Sequence, residues 1–263
     1  MKKVLTIAGS DSSGGAGIQA DMKTITVHKM YAMSAITALT AQNTTGVFDI
    51  LEADSEFVAK QLDAIFTDIR PDSVKIGMVS NGDIIRTIAE KLKEYQAENI
   101  VLDPVMVATS GGVLLKNDAT EALIKYLLPI ADVVTPNIPE GEVLCGFAIR
   151  NEKDMERAAQ RIAQFTKGAV LMKGGHLVND ARDYLYQGGK GEWFVSERIQ
   201  TENTHGTGCT LSSAIACNLA EGKTLAASVQ AAKIFLTGAL KDGLNLGAGS
   251  GPLNHTYAIE KTF

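Results

Sequence analysis

Val4-Leu-Thr-Ile-Ala-Gly-Ser-Asp-Ser-Ser-Gly-Gly-Ala-Gly-Ile-Gln-Ala-Asp-Met-Lys-Thr-Ile25 begins with a short apolar run, passes through a polar, glycine-rich loop, and ends with Ile18, Met22 and Ile25 at helical spacing. Strand, glycine loop and helix in that order open a parallel α/β sheet. The alternation continues outward. A strand-like segment at 32–41 ends in the polar cluster Gln42-Asn-Thr-Thr-Gly46. The segment 55–69 is amphipathic, with Phe57, Val58, Leu62, Ile65, Phe66 and Ile69 on one face. Strands at 73–78 and 99–103 enclose a helix at 83–95, and strands at 132–135 and 168–172 enclose one at 154–166, after a helix at 118–127. A β-hairpin follows, its arms at 181–186 and 192–198 joined through Gly188-Gly-Lys-Gly191. Helices at 211–222 and 225–240 come last, and 252–263 has no clear pattern. No repeat, low-complexity block or linker divides the chain, so the expectation is one α/β domain over residues 1–263, built on a doubly wound sheet.

Composition narrows the function. With 45% hydrophobic and 21% charged residues the chain reads as an ordinary soluble globule. A net charge of -5 argues against nucleic acid or an anionic membrane as the main partner, so any phosphate must be bound locally. Three scattered cysteines, Cys145, Cys209 and Cys217, make no disulfide framework and fit a reducing compartment. His28, His176, His205 and His255 show no metal-ligand spacing with them. The first residues run directly into a strand with no long apolar region, and no apolar stretch reaches the ~20 residues of a membrane span. A cytoplasmic protein is expected.

Polar and glycine features recur at successive strand ends, which a doubly wound sheet brings to one side. In Asn203-Thr-His-Gly-Thr-Gly-Cys-Thr210, Gly206 and Gly208 allow a tight turn into the apolar helix behind them. That helix N-terminus is an anion site, and a thiol in its first turn, Cys209, has a lowered pKa and serves as a base. The same residues also read as a glycine-rich helix entry with a small buried cysteine. Asp103, ahead of Pro104 and a glycine-containing loop, is either a carboxylate that organises Mg²⁺ or a turn cap. Asn137 and Glu140 either face one site or form a helix-capping pair. Lys173, followed by Gly174 and Gly175, can approach a phosphate closely.

Other motifs are excluded. Gly15-Ala-Gly17-Ile-Gln-Ala20 matches a relaxed dinucleotide fingerprint, but Leu39 and Thr40 stand where its acidic residue belongs. Gly9 to Gly14 is followed by Gly15 and Ala16 instead of the Lys and Ser/Thr of a P-loop. Acid set, lysine and anion hole together suit phosphoryl transfer. A Cys-dependent hydrolase pairing Cys209 with His205 or His176 is the reading from another class, and it lacks a third group to orient the imidazole.

Ala8-Gly-Ser-Asp-Ser-Ser-Gly-Gly-Ala-Gly-Ile-Gln-Ala-Asp21, Thr40-Ala-Gln-Asn-Thr44, Lys75-Ile-Gly-Met78, Asp103-Pro-Val-Met106, Thr135-Pro-Asn-Ile-Pro-Glu140, Met172-Lys-Gly-Gly-His176 and Thr204-His-Gly-Thr-Gly-Cys-Thr210 resemble, in order and spacing, the bacterial hydroxymethylpyrimidine/phosphomethylpyrimidine kinases of thiamine biosynthesis. These are members of the ribokinase-like superfamily, and the resemblance spans nearly the whole chain. It implies a three-layer α/β/α fold with a mostly parallel sheet. The implied reaction is ATP- and Mg²⁺-dependent phosphorylation of 4-amino-5-hydroxymethyl-2-methylpyrimidine to its monophosphate and then its diphosphate, by a homodimer.

The resemblance also implies roles. Gln42 grips the pyrimidine, Ala16, Met78 and Val107 wall the ring, and Asp21 sits close by. Asp103, Asn137 and Glu140 arrange Mg²⁺ and phosphate-bridging waters; Lys173 and Thr207 contact the ATP phosphates; Lys233 lies by the adenosine. Gly206, Thr207, Gly208 and Cys209 stabilise the transferring phosphoryl group, and Cys209 takes the substrate hydroxyl proton. Thr109 departs from the basic residue that many members carry in the lid loop. Pyridoxal/pyridoxine kinases of the same superfamily are the alternative; many lack the Gln-Asn-Thr of 42–44 and carry a Cys near Ala108, and both features favour the pyrimidine.

Overall fold

Alternate residues of the central strands face opposite ways, and both ways are apolar. In the computed structural model, which describes residues 1–106, 117–174 and 181–259, Val4, Val101, Val133 and Leu171 join one core cluster while their neighbours Leu5, Leu102, Val134 and Val170 join another. A sheet buried on both faces needs helices on both. Three layers result.

The sheet contains β1 (Lys3–Asp11), β2 (Tyr31–Asn43), β3 (Gly46–Glu52), β4 (Ser73–Ile76), β5 (Ile100–Leu102), β6 (Val133–Val134), β7 (Ala169–Lys173), β8 (Ala181–Gln187) and β9 (Lys190–Ser196), in the order β3-β2-β1-β4-β5-β6-β7-β8-β9. β2 through β7 in that order are parallel; β3 on one edge and β8 and β9 on the other are antiparallel. Helices α1 (Gly17–Val27), α7 (Thr207–Ala220) and α8 (Leu225–Lys241) contribute Ile25, Ala214, Ile215 and Val229 to one face. On the other lie α2 (Ser55–Asp68), α3 (Gly82–Glu94), α4 (Asn117–Ala122), α5 (Ile138–Cys145) and α6 (Glu152–Ile162), bringing Leu62, Ile88, Leu144 and Ile162. No helix among the described residues is long and apolar enough to cross a membrane.

One expectation changes. The cluster at 42–46 is not the end of a parallel strand leading into a helix but the tip of an antiparallel hairpin, in which β2 runs on to Asn43 and turns into β3. β3 leaves Phe48 68% and Leu51 69% exposed, so it lacks the buried alternation by which a strand is recognised.

The parallel strands end beside the N-termini of α1, α5 and α7. α7 is the central helix of its layer and is buried nearly all round, from Thr210 through Ala220. Its entry needs Gly206, at φ 86°, where a Cβ would fall 2.0 Å from the Gly15 carbonyl oxygen. The loop after β1 is therefore packed directly on the turn into α7.

Candidate active site

Asp103 follows β5 and Lys173 ends β7, and the Lys173 ammonium lies 2.7 Å from Asp103 Oδ1. The Thr135 hydroxyl donates to the same oxygen at 3.1 Å, and the Ser212 hydroxyl lies 3.4 Å from Oδ2. A Cβ on Gly208 would stand 3.3 Å from Asp103 Oδ2 and 3.4 Å from Lys173 Nζ. The first turn of α7, whose N–H groups have no acceptor within the helix, thus abuts the ion pair. Three separated segments meet where sequence spacing placed an anion site.

The charges depend on one another. Burial alone would raise the Asp103 carboxyl, but Lys173 and Lys75 outweigh it and hold the group below its usual range. Burial likewise opposes the Lys173 charge, and Asp103 and Glu140 more than restore it. Glu140 is different. Burial drives it up to about 7, Lys173 opposes, and Asp103 adds like-charge repulsion. Asn137 and Glu140 form a capping box on α5, with Asn137 N–H donating to Glu140 Oε2 at 2.8 Å and Glu140 N–H to Asn137 Oδ1 at 2.9 Å. Capping does not remove them from the site, because the helix they cap starts beside Lys173, whose N–H donates to the Pro136 carbonyl at 2.8 Å.

Cys209 occupies the expected first-turn position, but its thiol is not lowered. Burial raises it to about 11; Lys75 opposes, Asp21 and Asp103 push the same way as burial, and the Gly17 N–H opposes. The helix N-terminus supplies donors, yet the loss of water and two nearby carboxylates outweigh them. The resting protein therefore carries a thiol near neutral pH. Iodoacetamide alkylation of Cys209, followed by peptide mass spectrometry, should accelerate about tenfold per pH unit from pH 7 to 9. A plateau by pH 8 would mean a lowered thiol pKa after all.

On the substrate side, Gln42 Oε1 accepts from Thr40 Oγ1 at 3.1 Å, and its Nε2 lies 3.4 Å from His205 Nε2. His205 Nε2 is 2.8 Å from Asp11 Oδ2, and Asp11 also accepts from the N–H groups of Ser13, Gly15 and Ala16. Asp11, held far below its usual range against the cost of burial by His205 and these donors, thereby ties residues 11–16 to the turn into α7. Ala16 caps α1, and Met78 lies beside the β1 irregularity, its sulfur 3.0 Å from where a Gly9 Cβ would be. Gln42, Ala16 and the turn at Gly206 share one end of the sheet.

Two expected site residues have buried ion partners. Asp21, expected close by the ring site, is fully buried with both oxygens on Lys75 Nζ, at 2.9 and 2.8 Å. Lys233 is no free cation beside a nucleotide, because its ammonium is buried in an ion pair with Asp183 and also donates to the Ala181 carbonyl. Asp183 in turn accepts from the Gly174 N–H at 3.0 Å, so this pair holds the chain just beyond Lys173. Val107, Ala108, Thr109 and His176 lie outside the described residues. Sequence reasoning gave no role to Lys75, Asp11 or Asp183. A lysine between the core residues Val74 and Ile76 of β4 was itself the signal of a buried partner.

A family model for phosphomethylpyrimidine kinase matches residues 11–254. The chain is 50% identical over 258 residues to the thiamine biosynthesis bifunctional protein ThiED of Geobacter sulfurreducens, covering 98% of this chain but 53% of that one. It thus spans about half the length of this relative. It is 46% identical to the hydroxymethylpyrimidine/phosphomethylpyrimidine kinase of Escherichia coli, covering 98% of this chain and 99% of the relative. Among solved structures, the pyridoxal kinase of Staphylococcus aureus in complex with AMP-PCP and pyridoxal superposes with a TM-score of 0.91 at 37% identity, covering 98% of this chain and 94% of that one.

Proposed function

The chain belongs to the phosphomethylpyrimidine kinase family, and on that premise we propose that the groups gathered at the N-terminus of α7 carry out its phosphoryl transfer. The protein is an ATP- and Mg²⁺-dependent kinase of thiamine biosynthesis, converting 4-amino-5-hydroxymethyl-2-methylpyrimidine to its monophosphate and then its diphosphate. The observation that carries the assignment of roles is the closeness of Gly208 to the Asp103–Lys173 pair, where an added Cβ would stand 3.3 and 3.4 Å from the two charged groups. It puts anion donors, a cation and a carboxylate at one point.

Gln42 pairs with the pyrimidine edge, its carbonyl accepting from the exocyclic amine and its NH₂ donating to a ring nitrogen. Ala16, Met78 and Val107 wall the ring. Lys173, Thr207 and Asn137 bind the phosphates, while the N–H groups of Gly206, Gly208 and Cys209 receive the charge that develops on the transferring group. Asp103 and Glu140 fit a hard divalent cation, because two mutually repelling buried carboxylates, one of them raised to about 7, are what such a cation relieves. When bound there, Mg²⁺ neutralises phosphate charge. Cys209, after giving its own proton to solvent, accepts the hydroxyl proton as a thiolate while the oxygen attacks.

Gln42→Leu should raise KM for the pyrimidine about 5- to 150-fold, corresponding to ~1–3 kcal/mol for an unpaired polar edge, with KM for ATP unchanged. Loss of ATP binding instead would reverse the two subsites. The assignment of substrate is tested by product formation with hydroxymethylpyrimidine and pyridoxal offered separately and together. Mono- and then diphosphate from the pyrimidine, with the higher kcat/KM, is expected. The likeness to a pyridoxal-bound kinase supports a weaker activity on pyridoxal as a second reading.

The protein forms a homodimer in this proposal, burying the exposed apolar side chains Leu39, Phe48, Leu51 and Phe57 around β3. Light scattering that gives a monomer would reject it. Three unpaired cysteines, Cys145, Cys209 and Cys217, support a cytoplasmic location.

A further inference from the structure

The backbone of Gln42 is clamped, while its amide nitrogen has no acceptor of its own. The Ser12 hydroxyl donates to the Gln42 carbonyl at 2.7 Å and accepts from the Gln42 N–H at 2.9 Å, which fixes where the side chain starts. At the other end, Oε1 takes a share of the Thr40 hydroxyl proton, which also goes to the Ser10 carbonyl at 2.8 Å. Among the described residues, the polar group facing Gln42 Nε2 is His205 Nε2, at 3.4 Å.

Whether that contact is a hydrogen bond depends on one proton. A histidine nitrogen either carries a hydrogen and donates, or lacks one and accepts. Asp11 Oδ2, 2.8 Å from His205 Nε2, decides between them. The same oxygen takes the N–H groups of Gly15 at 3.0 Å and Ala16 at 2.8 Å, and Oδ1 takes the N–H and the hydroxyl of Ser13, so the carboxylate is an acceptor throughout. His205 Nε2 therefore carries a hydrogen and gives it to Asp11. Two N–H donors then face each other across 3.4 Å, and neither takes the other's hydrogen. The ring has little freedom to turn away. His205 is 5% exposed, its backbone N–H donates to the Gly251 carbonyl at 3.0 Å, and a Cβ on Gly15 would fall 2.3 Å from its Cδ2.

We propose that His205 is a positioning residue for substrate recognition: with its Nε2 hydrogen committed to Asp11, it denies the Gln42 NH₂ an internal acceptor and leaves that donor for a ring nitrogen of the substrate. The Gln42 carbonyl, which only shares a proton with the Ser10 carbonyl, keeps a lone pair for a neighbouring amine. A carboxamide open at both ends matches an edge on which a ring nitrogen and an amino group are adjacent, as in a 4-aminopyrimidine. This role rests on Gln42 reading the pyrimidine edge.

The test compares the wild type, His205→Leu and Gln42→Leu on two substrates: hydroxymethylpyrimidine, and its analogue in which C–H replaces the ring nitrogen beside the amino-bearing carbon. The wild type should prefer the pyrimidine about 5- to 30-fold in kcat/KM, as for one hydrogen bond to a ring nitrogen. In His205→Leu the Gln42 NH₂ turns to the vacated Asp11 Oδ2, so the preference should fall to within about twofold while KM for ATP is unchanged. A merely structural histidine would weaken both substrates and keep the ratio, and that outcome overturns the proposal. If His205→Leu does not fold, the wild type decides alone: an NMR spectrum of the histidine ring nitrogens at about pH 8 should show His205 Nε2 bearing the hydrogen, and a bare Nε2 overturns the proposal. The underlying reading fails separately. A Gln42→Leu variant that keeps the preference, or a wild type without one, would remove Gln42 from the ring nitrogen whatever the histidine does.

Discussion

Cys209→Ala is expected to lower kcat by roughly 100-fold or more while leaving ATP affinity almost unchanged, the pattern for loss of a general base. Two features separate turnover from binding. The thiol, pushed up to about 11 by burial, is uncharged in the resting protein near pH 7, so its removal takes no charge from the phosphate site. The groups assigned to the phosphates, Lys173, Thr207 and the first-turn N–H groups, are untouched by the change. Folding should suffer little, because alanine is a good helix former and the substitution deletes a single sulfur from a partly exposed residue. Steady-state kinetics with ATP and the pyrimidine, alongside nucleotide titration, check this. Unchanged turnover would remove Cys209 from the chemistry.

Asp103→Asn should cost more, about 10³-fold in kcat, because one carboxylate serves two purposes. It organises the Mg²⁺ site in the proposed mechanism, and it holds the Lys173 ammonium 2.7 Å away at the end of β7. Asparagine keeps the shape and can still accept from Thr135, but it leaves a buried ammonium with only Glu140 to face. Breaking a buried pair from one side costs ~3–5 kcal/mol of stability, so a lower Tm is expected as well. The apparent KM for Mg²⁺ should rise too, and that distinguishes a metal-organising role from a structural one. Wild-type turnover and Mg²⁺ dependence with only a lowered Tm would reduce Asp103 to a fold residue.

Local pattern carried the fold far. The helix expected at 55–69 is α2, Ser55–Asp68, and that expected at 83–95 is α3, Gly82–Glu94, because one apolar face and a capping side chain at Asp54 or Asn81 fix each within the segment. β3 escaped because its side chains face solvent on both sides, which erases the period of two. The turn at Gly206 was legible for a similar reason to the helices, since only glycine accepts φ 86° against the Gly15 carbonyl.

What was not legible involves partners distant in sequence. Asp21 sits among substrate-loop residues in the chain, but its ligand is Lys75, 54 positions on. His205 is oriented by Asp11, 194 positions away, which is the third group that a reading of neighbours alone could not supply. Lys233 had the charge for a nucleotide, and only the folded β8 shows that Asp183 already holds it. The thiol of Cys209 failed in the same way. A helix N-terminus is visible in a few adjacent residues, whereas desolvation and the carboxylates of Asp21 and Asp103 come from elsewhere in the fold.

A crystal structure with Mg²⁺, a nonhydrolysable ATP analogue and hydroxymethylpyrimidine tests the central claim most directly. The expected result is a γ-phosphate oxygen within hydrogen-bonding reach of the Gly208 and Cys209 N–H groups, with the substrate hydroxyl about 3–3.5 Å from Cys209 Sγ and Gln42 on the pyrimidine edge. A γ-phosphate seated away from the first turn of α7, or a hydroxyl facing another base, would contradict it.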